Sequence, residues 1–323
     1  CDAVTYAGRR HDRQGVIEEL RRALPTVGHV ILHSDAAPSE TRLSTILAGQ
    51  SAAIDAFEPE WLVLLKVLQD PQEHVVNGRR FVTGSLAGKD VVLFLSGVSM
   101  VNAAMTTQQA IDYFDITTIV FSGIAGGVDP KLSIGDVVVS GQWGQYLEAI
   151  FARETQKGTF AIPPFLDTQF PNFGMIHPNE SEVVREGSTE PEDRFWFPVD
   201  GKLLETARQV AGSVTLEKCA GADKCLSHQP KVVVGGNGVS GSAFVDNAAF
   251  REFTFQTFEA QVLDMESAAT AHVAYSNGVP FIAFRSLSDL AGGGEAENEM
   301  GVFFALASAN SAKIVQAFLA ALP

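Results

Sequence analysis

The sequence predicts an α/β fold with one sheet between two layers of helices, on three observations. Short apolar runs alternate along the chain with segments of helical period, and most runs end at glycine or proline. At 46% apolar and 19% charged, the 323 residues hold enough apolar surface for a large core and too little charge for disorder. No internal repeat, low-complexity tract or clean linker divides the chain, so one large domain is expected over 51–323, preceded by an accessory extension over 1–50.

Within the extension, residues 12–24 read as a charged amphipathic helix and 28–33 as a short apolar strand. Residues 52–57 are a further strand candidate, and Pro59 suits the first turn of a helix over 59–69. The runs 80–86 and 91–95 flank Ala87-Gly-Lys-Asp90, a hairpin signal. A helix follows over 99–113, then a buried strand over 117–121 that ends at Ser122-Gly-Ile-Ala-Gly-Gly127, and another strand over 136–140. The stretch 142–230 has a different character, with Pro163-Pro164, Phe170-Pro-Asn-Phe173 and Trp196-Phe-Pro198 around one clear helix over 200–211. It reads as a long insertion, and such segments are functional loops or lids more often than filler. A strand over 232–234, a helix over 266–276 ended by Asn277-Gly278, a strand over 280–287 and a closing helix over 303–319 complete the pattern.

A formal net charge of −15 argues against a phosphate-backbone partner and against an anionic membrane surface, since both need a basic face. No uninterrupted apolar run approaches the roughly 20 residues that span a bilayer, so no membrane-spanning segment is expected. The seven histidines show no metal or triad spacing, and one C-x5-C pair lacks the four ligands of a zinc site; neither a metal nor a cofactor is expected. Cys219 and Cys225 bracket a short polar loop that can close a disulfide ring, with two free thiols as the other reading. A leading Cys1 is what cleavage of a bacterial lipoprotein signal leaves, and a trimmed start is the alternative. Together the cysteines point to an exported protein, periplasmic or extracellular and lipid-anchored through Cys1, with the cytoplasm as the alternative.

Two carboxylates carry the chemistry. Glu266 in Val262-Leu-Asp-Met-Glu-Ser-Ala-Ala269 and Asp289 in Arg285-Ser-Leu-Ser-Asp-Leu-Ala-Gly-Gly293 both sit where apolar runs give way to something else. Burying an unpaired carboxylate costs several kcal/mol, so such an acid has a partner or a task. Two acids facing one pocket suit a substrate with vicinal hydroxyls and a leaving group that needs a proton. The turn Ser96-Gly97-Val98-Ser99 ends a strand and opens a helix, an anion-binding geometry, but Ser99 stands where a dinucleotide fingerprint needs its second glycine. A tight turn without a ligand is the competing reading there, as plain packing is for Gly123 to Gly127.

Six motifs in order, Ser96-Gly97, Ser122 to Gly127, Ile134-Gly-Asp-Val137, Ser240-Gly-Ser-Ala-Phe-Val245, Asp264-Met-Glu-Ser-Ala-Ala269 and Arg285 to Asp289, resemble the nucleoside phosphorylase/nucleosidase superfamily. Within it the chain is similar to the methylthioadenosine/S-adenosylhomocysteine nucleosidases. It is also similar to plant bark-storage-type proteins, which share Phe244-Val-Asp-Asn-Ala-Ala249 and Ser288-Asp-Leu-Ala-Gly-Gly293. The likeness runs from about residue 52 to the C-terminus and is poor over 142–230. It implies a three-layer sandwich with a central mixed sheet, cleavage of an N-glycosidic bond in a small-molecule purine nucleoside, and a homodimer. Asp289 matches the general acid that protonates purine N7, with Ser288 and Arg285 beside it; a helix cap is the alternative role. Glu266 matches the acceptor of the ribose 2′ and 3′ hydroxyls, or else a first-turn Glu on the helix dipole. The likeness places Met265 under the ribose, Phe244 on the purine face and the Val245 backbone at the purine edge, core packing being the alternative for the first two. Gly97, Gly123 and Ile124 fall in its binding loops. Glu60 aligns with the base that activates water, Glu58 competing for the role and a solvated glutamate at a helix start being the alternative.

The same resemblance separates water from phosphate as nucleophile. Phosphate needs cationic anchors. Where the phosphorylases place Gly-x-Pro-x-Arg, this chain has Ala56-Phe-Glu-Pro-Glu60-Trp; where they carry an arginine before the glycine cluster, it has Val120-Phe121. Many relatives have serine where this chain has Ile124. A nucleosidase of 5′-modified adenosine-type substrates is therefore expected, with a phosphate-dependent phosphorylase and a catalytically weak storage or ligand-binding relative as alternatives.

Overall fold

A computed structural model describes residues 29–33, 59–221, 224–294 and 297–323, with side chains described from Trp61 onward. The helix expected over 12–24 and the strand over 52–57 lie outside the described residues. Strands β1 (His29–His33), β2 (Gln69–Val76), β3 (Arg79–Leu86), β4 (Lys89–Leu95), β5 (Ile119–Gly127), β6 (Val137–Val139) and β7 (Gln142–Gln145) belong to one sheet. Three small antiparallel pairs come next: β8 (Ala149–Phe151) with β11 (Ile176–Pro178), β9 (Arg153–Gln156) with β10 (Thr159–Ala161), and β12 (Ser181–Val183) with β13 (Glu192–Arg194). Strands β14 (Trp196–Pro198), β15 (Val232–Val234), β16 (Asn237–Ser240), β17 (Ala260–Asp264) and β18 (Phe281–Asp289) return to the main sheet, which has twelve strands among the described residues. Two predicted boundaries therefore move. Residues 29–33, expected in an accessory extension, form a strand between β4 and β5 at the centre of the sheet. The insertion shrinks to the small pairs, because β7 and β14 are sheet strands.

The sheet is mixed. Its order runs β14-β7-β16-β17-β5-β1-β4-β3-β2, and β5 also takes β18 as a parallel partner. Positive φ at Asn77 and Gly78, and again at Ala87 and Gly88, shapes the two hairpin turns of β2, β3 and β4. The expected strand over 117–121 extends through the glycines to Gly127, where β5 leaves β1 and pairs antiparallel with β17. Glycine permits this: a Cβ on Gly127 would stand 2.9 Å from the Leu287 side chain.

The helices are α1 (Pro59–Val67), α2 (Met100–Tyr113), α3 (Gly201–Ala211), α4 (Ala248–Phe258), α5 (Ser267–Ser276) and α6 (Met300–Ala321). Alternation along β18 sorts two of them to opposite faces. Phe284 packs on Phe318 of α6, with ring centroids 4.9 Å apart, while its neighbour Arg285 points to Ser267 of α5. Helices α1 and α3 lie against α6, and α2 lies against α5, completing three layers. By length and composition α6 alone among the described residues is apolar enough to cross a bilayer, which the pattern of apolar runs did not signal. Here Leu306, Ile314, Val315, Phe318 and Leu319 are buried within the protein.

Candidate active site

Asp264 ends β17 and organises the start of α5. Its Oδ1 accepts the backbone N–H of Glu266 and of Ser267, both at 3.1 Å, which caps the helix. The Ser240 hydroxyl donates to the same Oδ1, and its oxygen accepts the Ala268 N–H at 2.8 Å. With the cap supplied by Asp264, the Glu266 carboxylate makes no capping bond and turns elsewhere. Its Oε1 accepts the Ser99 N–H at 2.8 Å, across 167 residues of sequence.

Arg285 is fully buried beneath both acids. Its Nε lies 2.8 Å from Asp264 Oδ2 and 2.8 Å from the Ser267 hydroxyl, and its guanidinium stacks 4.1 Å from the Phe121 ring centroid. A second nitrogen stands 3.7 Å from Glu266 Oε2, close enough for attraction and too far for a hydrogen bond. Burial pushes the Glu266 carboxyl above its ordinary range, and Arg285 offsets only part of that rise.

Asp289 closes β18 at a bulge, where the register with β5 slips between Leu287 and Asp289. A bulge bends the strand and re-aims the side chain it carries. Gly126 makes room, since a Cβ there would stand 3.2 Å from Asp289 Oδ1. The carboxyl accepts the Ala291 N–H at 2.7 Å on Oδ1 and the Ser288 hydroxyl at 2.9 Å on Oδ2. That is a turn contact rather than a helix cap. Burial raises its pKa against the pull of those two donors and of the Asn298 side chain.

Both acids reach one cavity of about 200 Å³. They are nearly buried, at 4% exposure for Glu266 and 5% for Asp289. Val98, Ile124, Leu263, Met265, Met300 and Phe304 give the walls their apolar character, and Phe244, 57% exposed, and Val245 add to the lining. The structure thus gathers Asp289, Glu266, Met265, Phe244, Val245, Ser288 and Ile124 of the sequence expectation. It leaves Gly97, Gly123 and Arg285 out of the lining. Gly97 with φ 75° shapes the turn before Val98, Gly123 donates its N–H to the Ser311 hydroxyl, and Arg285 acts from below rather than beside Asp289. The Glu60 side chain and Glu58 lie outside the described residues. Sequence reasoning missed Val98, Leu263, Met300 and Phe304, of which the last two sit one helical turn apart on α6. It also missed the cap formed by Asp264, which the order Asp264-x-x-Ser267 at a helix start signals.

The profile of the Phosphorylase superfamily matches residues 52–320, most of the chain. The chain belongs to the Phosphorylase superfamily. Among relatives in this superfamily, bark storage protein A of Populus deltoides is 30% identical over 259 residues, covering 77% of this chain and 79% of that protein. A 5′-methylthioadenosine/S-adenosylhomocysteine nucleosidase of Marinomonas sp. is 28% identical over 267 residues, covering 82% and 96%. The fold matches the nucleosidase of Neisseria meningitidis, solved in complex with methylthio-immucillin-A, with TM-score 0.62 and 24% identity over 92% of this chain and all of that one. The superfamily fold thus carries both acids, and the mixed three-layer architecture expected from the sequence is the one observed.

Proposed function

We propose that this protein is a purine nucleoside N-ribohydrolase that cleaves adenosine-type nucleosides, including those modified at the 5′ position. One observation carries the reading: two nearly buried carboxyls, Glu266 at the start of α5 and Asp289 at the end of β18, enter a single, largely apolar cavity. Cleavage of an N-glycosidic bond passes through a ribosyl cation, so the base must take up a proton while the sugar gains positive charge. Asp289, kept protonated upward in pH by burial, donates to the leaving base. Glu266 accepts the ribose hydroxyls on the carboxylate that Ser99 orients, and its charge favours the cation. Phe244, Met265, Met300 and Phe304 offer apolar area to the base and to a 5′ substituent. The nucleosidase relatives, named for methylthioadenosine and S-adenosylhomocysteine, support the same assignment.

Water is the proposed nucleophile, activated by Glu60. Among the described residues no lysine or arginine lines the cavity, and Arg285 is committed to Asp264, Ser267 and Glu266. Phosphate would meet carboxylates without a cationic anchor. The test is incubation with adenosine, methylthioadenosine, inosine and cytokinin ribosides, with and without phosphate, while free base and sugar are followed. Release of base and free sugar at a rate independent of phosphate supports the proposal, and strict phosphate dependence makes it a phosphorylase. Because the relatives include a bark storage protein and Ile124 stands in the cavity wall, a binding protein without turnover is the second reading; it predicts bound but uncleaved nucleoside. The bond between Cys219 and Cys225 supports an oxidising, exported setting. A homodimer belongs to the same proposal, supported by exposed Phe151, Phe165 and Met175 over 149–176 and tested by sedimentation.

A further inference from the structure

Ser99 joins β4 to α2 with φ 79° and ψ 160°, a region nearly reserved for glycine. Serine is a favoured helix cap, yet at the N-cap position of α2 its side chain makes no capping bond. The residue therefore keeps a strained backbone and forgoes its usual contact. What it gains lies in the other direction. The strained backbone aims its N–H at Glu266 Oε1, 2.8 Å away, and its hydroxyl lies 2.9 Å from the Ser242 hydroxyl. Ser242 sits in a turn closed by the Ala243 N–H on the Gly241 carbonyl at 2.8 Å, immediately ahead of Phe244 and Val245. The same turn is tied to β17, since the Gly241 N–H donates to the Asp264 carbonyl at 3.1 Å. One hydroxyl pair and two backbone amides thus connect three pieces of the cavity wall: the glycine turn, the aromatic loop and the carboxylate segment.

We propose that Ser99 and Ser242 form a clasp that holds Glu266 in the position needed for the ribose diol. Ser99 is a positioning residue, acting through its amide on Glu266 and through its hydroxyl on the facing loop; neither serine lines the cavity. The proposal deepens the nucleosidase reading and rests on it. A glycine at position 99 would relax the backbone and lose the hydroxyl. An alanine would keep the strained backbone and lose only the hydroxyl.

The test is a set of four variants, S99A, S242A, S99A/S242A and S99G, measured by calorimetric binding of adenosine and of free adenine in a D289N background, whose slowed cleavage lets binding be read before turnover. Loss of one neutral hydrogen bond shifts the clasped conformation by about fivefold relative to the open one, which sets the upper limit of the affinity loss. S99A and S242A are expected to bind adenosine more weakly, by up to that factor, with the double variant no worse than either single one, because both remove the same bond. Adenine, which lacks the sugar, is expected to lose less. S99G is expected to melt no lower than the parent while binding adenosine more weakly, a split that a merely structural role would not produce. Unchanged adenosine affinity in S99A and S242A, or losses that add in the double variant, would overturn the clasp alone. A D289N parent that binds neither adenosine nor adenine, with a wild-type protein that releases no base, would overturn the nucleosidase reading with it.

Discussion

Replacing Asp289 by asparagine separates proton donation from the other contacts of this side chain. Its Oδ1 accepts the Ala291 N–H at 2.7 Å and its Oδ2 the Ser288 hydroxyl at 2.9 Å. Asparagine can keep both: its carbonyl oxygen takes the Ala291 amide, and its NH2 donates to the Ser288 oxygen once that hydroxyl rotates. The folding cost is therefore small, within about 1 kcal/mol. The cost to the reaction is not, because an amide has no proton to give, and loss of a positioned general acid removes about 10²- to 10⁴-fold in rate, or about 3–5 kcal/mol of barrier. Burial raises the pKa of this acid, so the donating form persists to higher pH than for an ordinary aspartate. In the parent, kcat should fall as pH rises through that raised value, and in D289N this alkaline decline should disappear. The assay is adenine release under single-turnover conditions across the neutral and alkaline range, with KM measured in parallel. An unchanged kcat, or an alkaline decline that survives in the variant, refutes the role of Asp289.

Glu266→Gln should weaken adenosine binding about tenfold to a hundredfold, the range for a hydrogen bond to a charged acceptor, and adenine binding far less; equal losses would remove Glu266 from the sugar subsite. Because burial raises its pKa, Glu266 gains its charge late, so riboside affinity should strengthen as pH rises and the Gln variant should lose that slope. The same raised value means that the folded state holds this proton more tightly than the unfolded chain, so Glu266 subtracts stability as pH rises above the ordinary glutamate range of about 4.3. Melting temperatures of parent and E266Q should diverge in that direction, and a parallel pair of curves would contradict it. Gly292→Ala places a methyl at a residue with φ 84°, 2.3 Å from the Asn247 backbone nitrogen, so a thermal melt should show a loss of about 2 kcal/mol or more. An unshifted melt would mean that the segment after Asp289 is not pinned to α4. Reduction of the Cys219–Cys225 bond should add about 2 Da in intact-mass measurement. Replacing both cysteines by serine should cost about 2 kcal/mol for so short a loop. Absence of the mass change in native protein would dispose of the disulfide.

Much of this fold was legible because its signals are local. Asp200 caps α3 through bonds to Lys202 and Leu203, the hairpin of β3 and β4 turns at Ala87-Gly88, and Asn277-Gly278 ends α5. Strand β2 was not legible: it is an edge strand with Pro71 and mostly exposed polar residues, so it lacks the alternation of a half-buried strand. Nor were the strands between residues 142 and 198, which are three or four residues long, too short to show a period. Helix α4 went unread because its phenylalanines and threonines, spread around the helix, give no clear polar stripe.

For the site, the sequence by itself determined which chemistry was present: two acids in apolar runs, an aromatic loop, and glycines where strands end. Tertiary structure alone decided how these are used. Asp264 and Glu266 differ by two residues and one methylene and both border the cavity, yet Asp264 caps a helix and takes the short contact to Arg285 while Glu266 makes no capping bond and accepts the Ser99 N–H. Asp289 faces the same space only because β18 pairs with β5 and slips register at its last residue. Ser99 reaches Glu266 across 167 positions. Such contacts arise from strand pairing and packing between distant segments, which local residue preference does not encode.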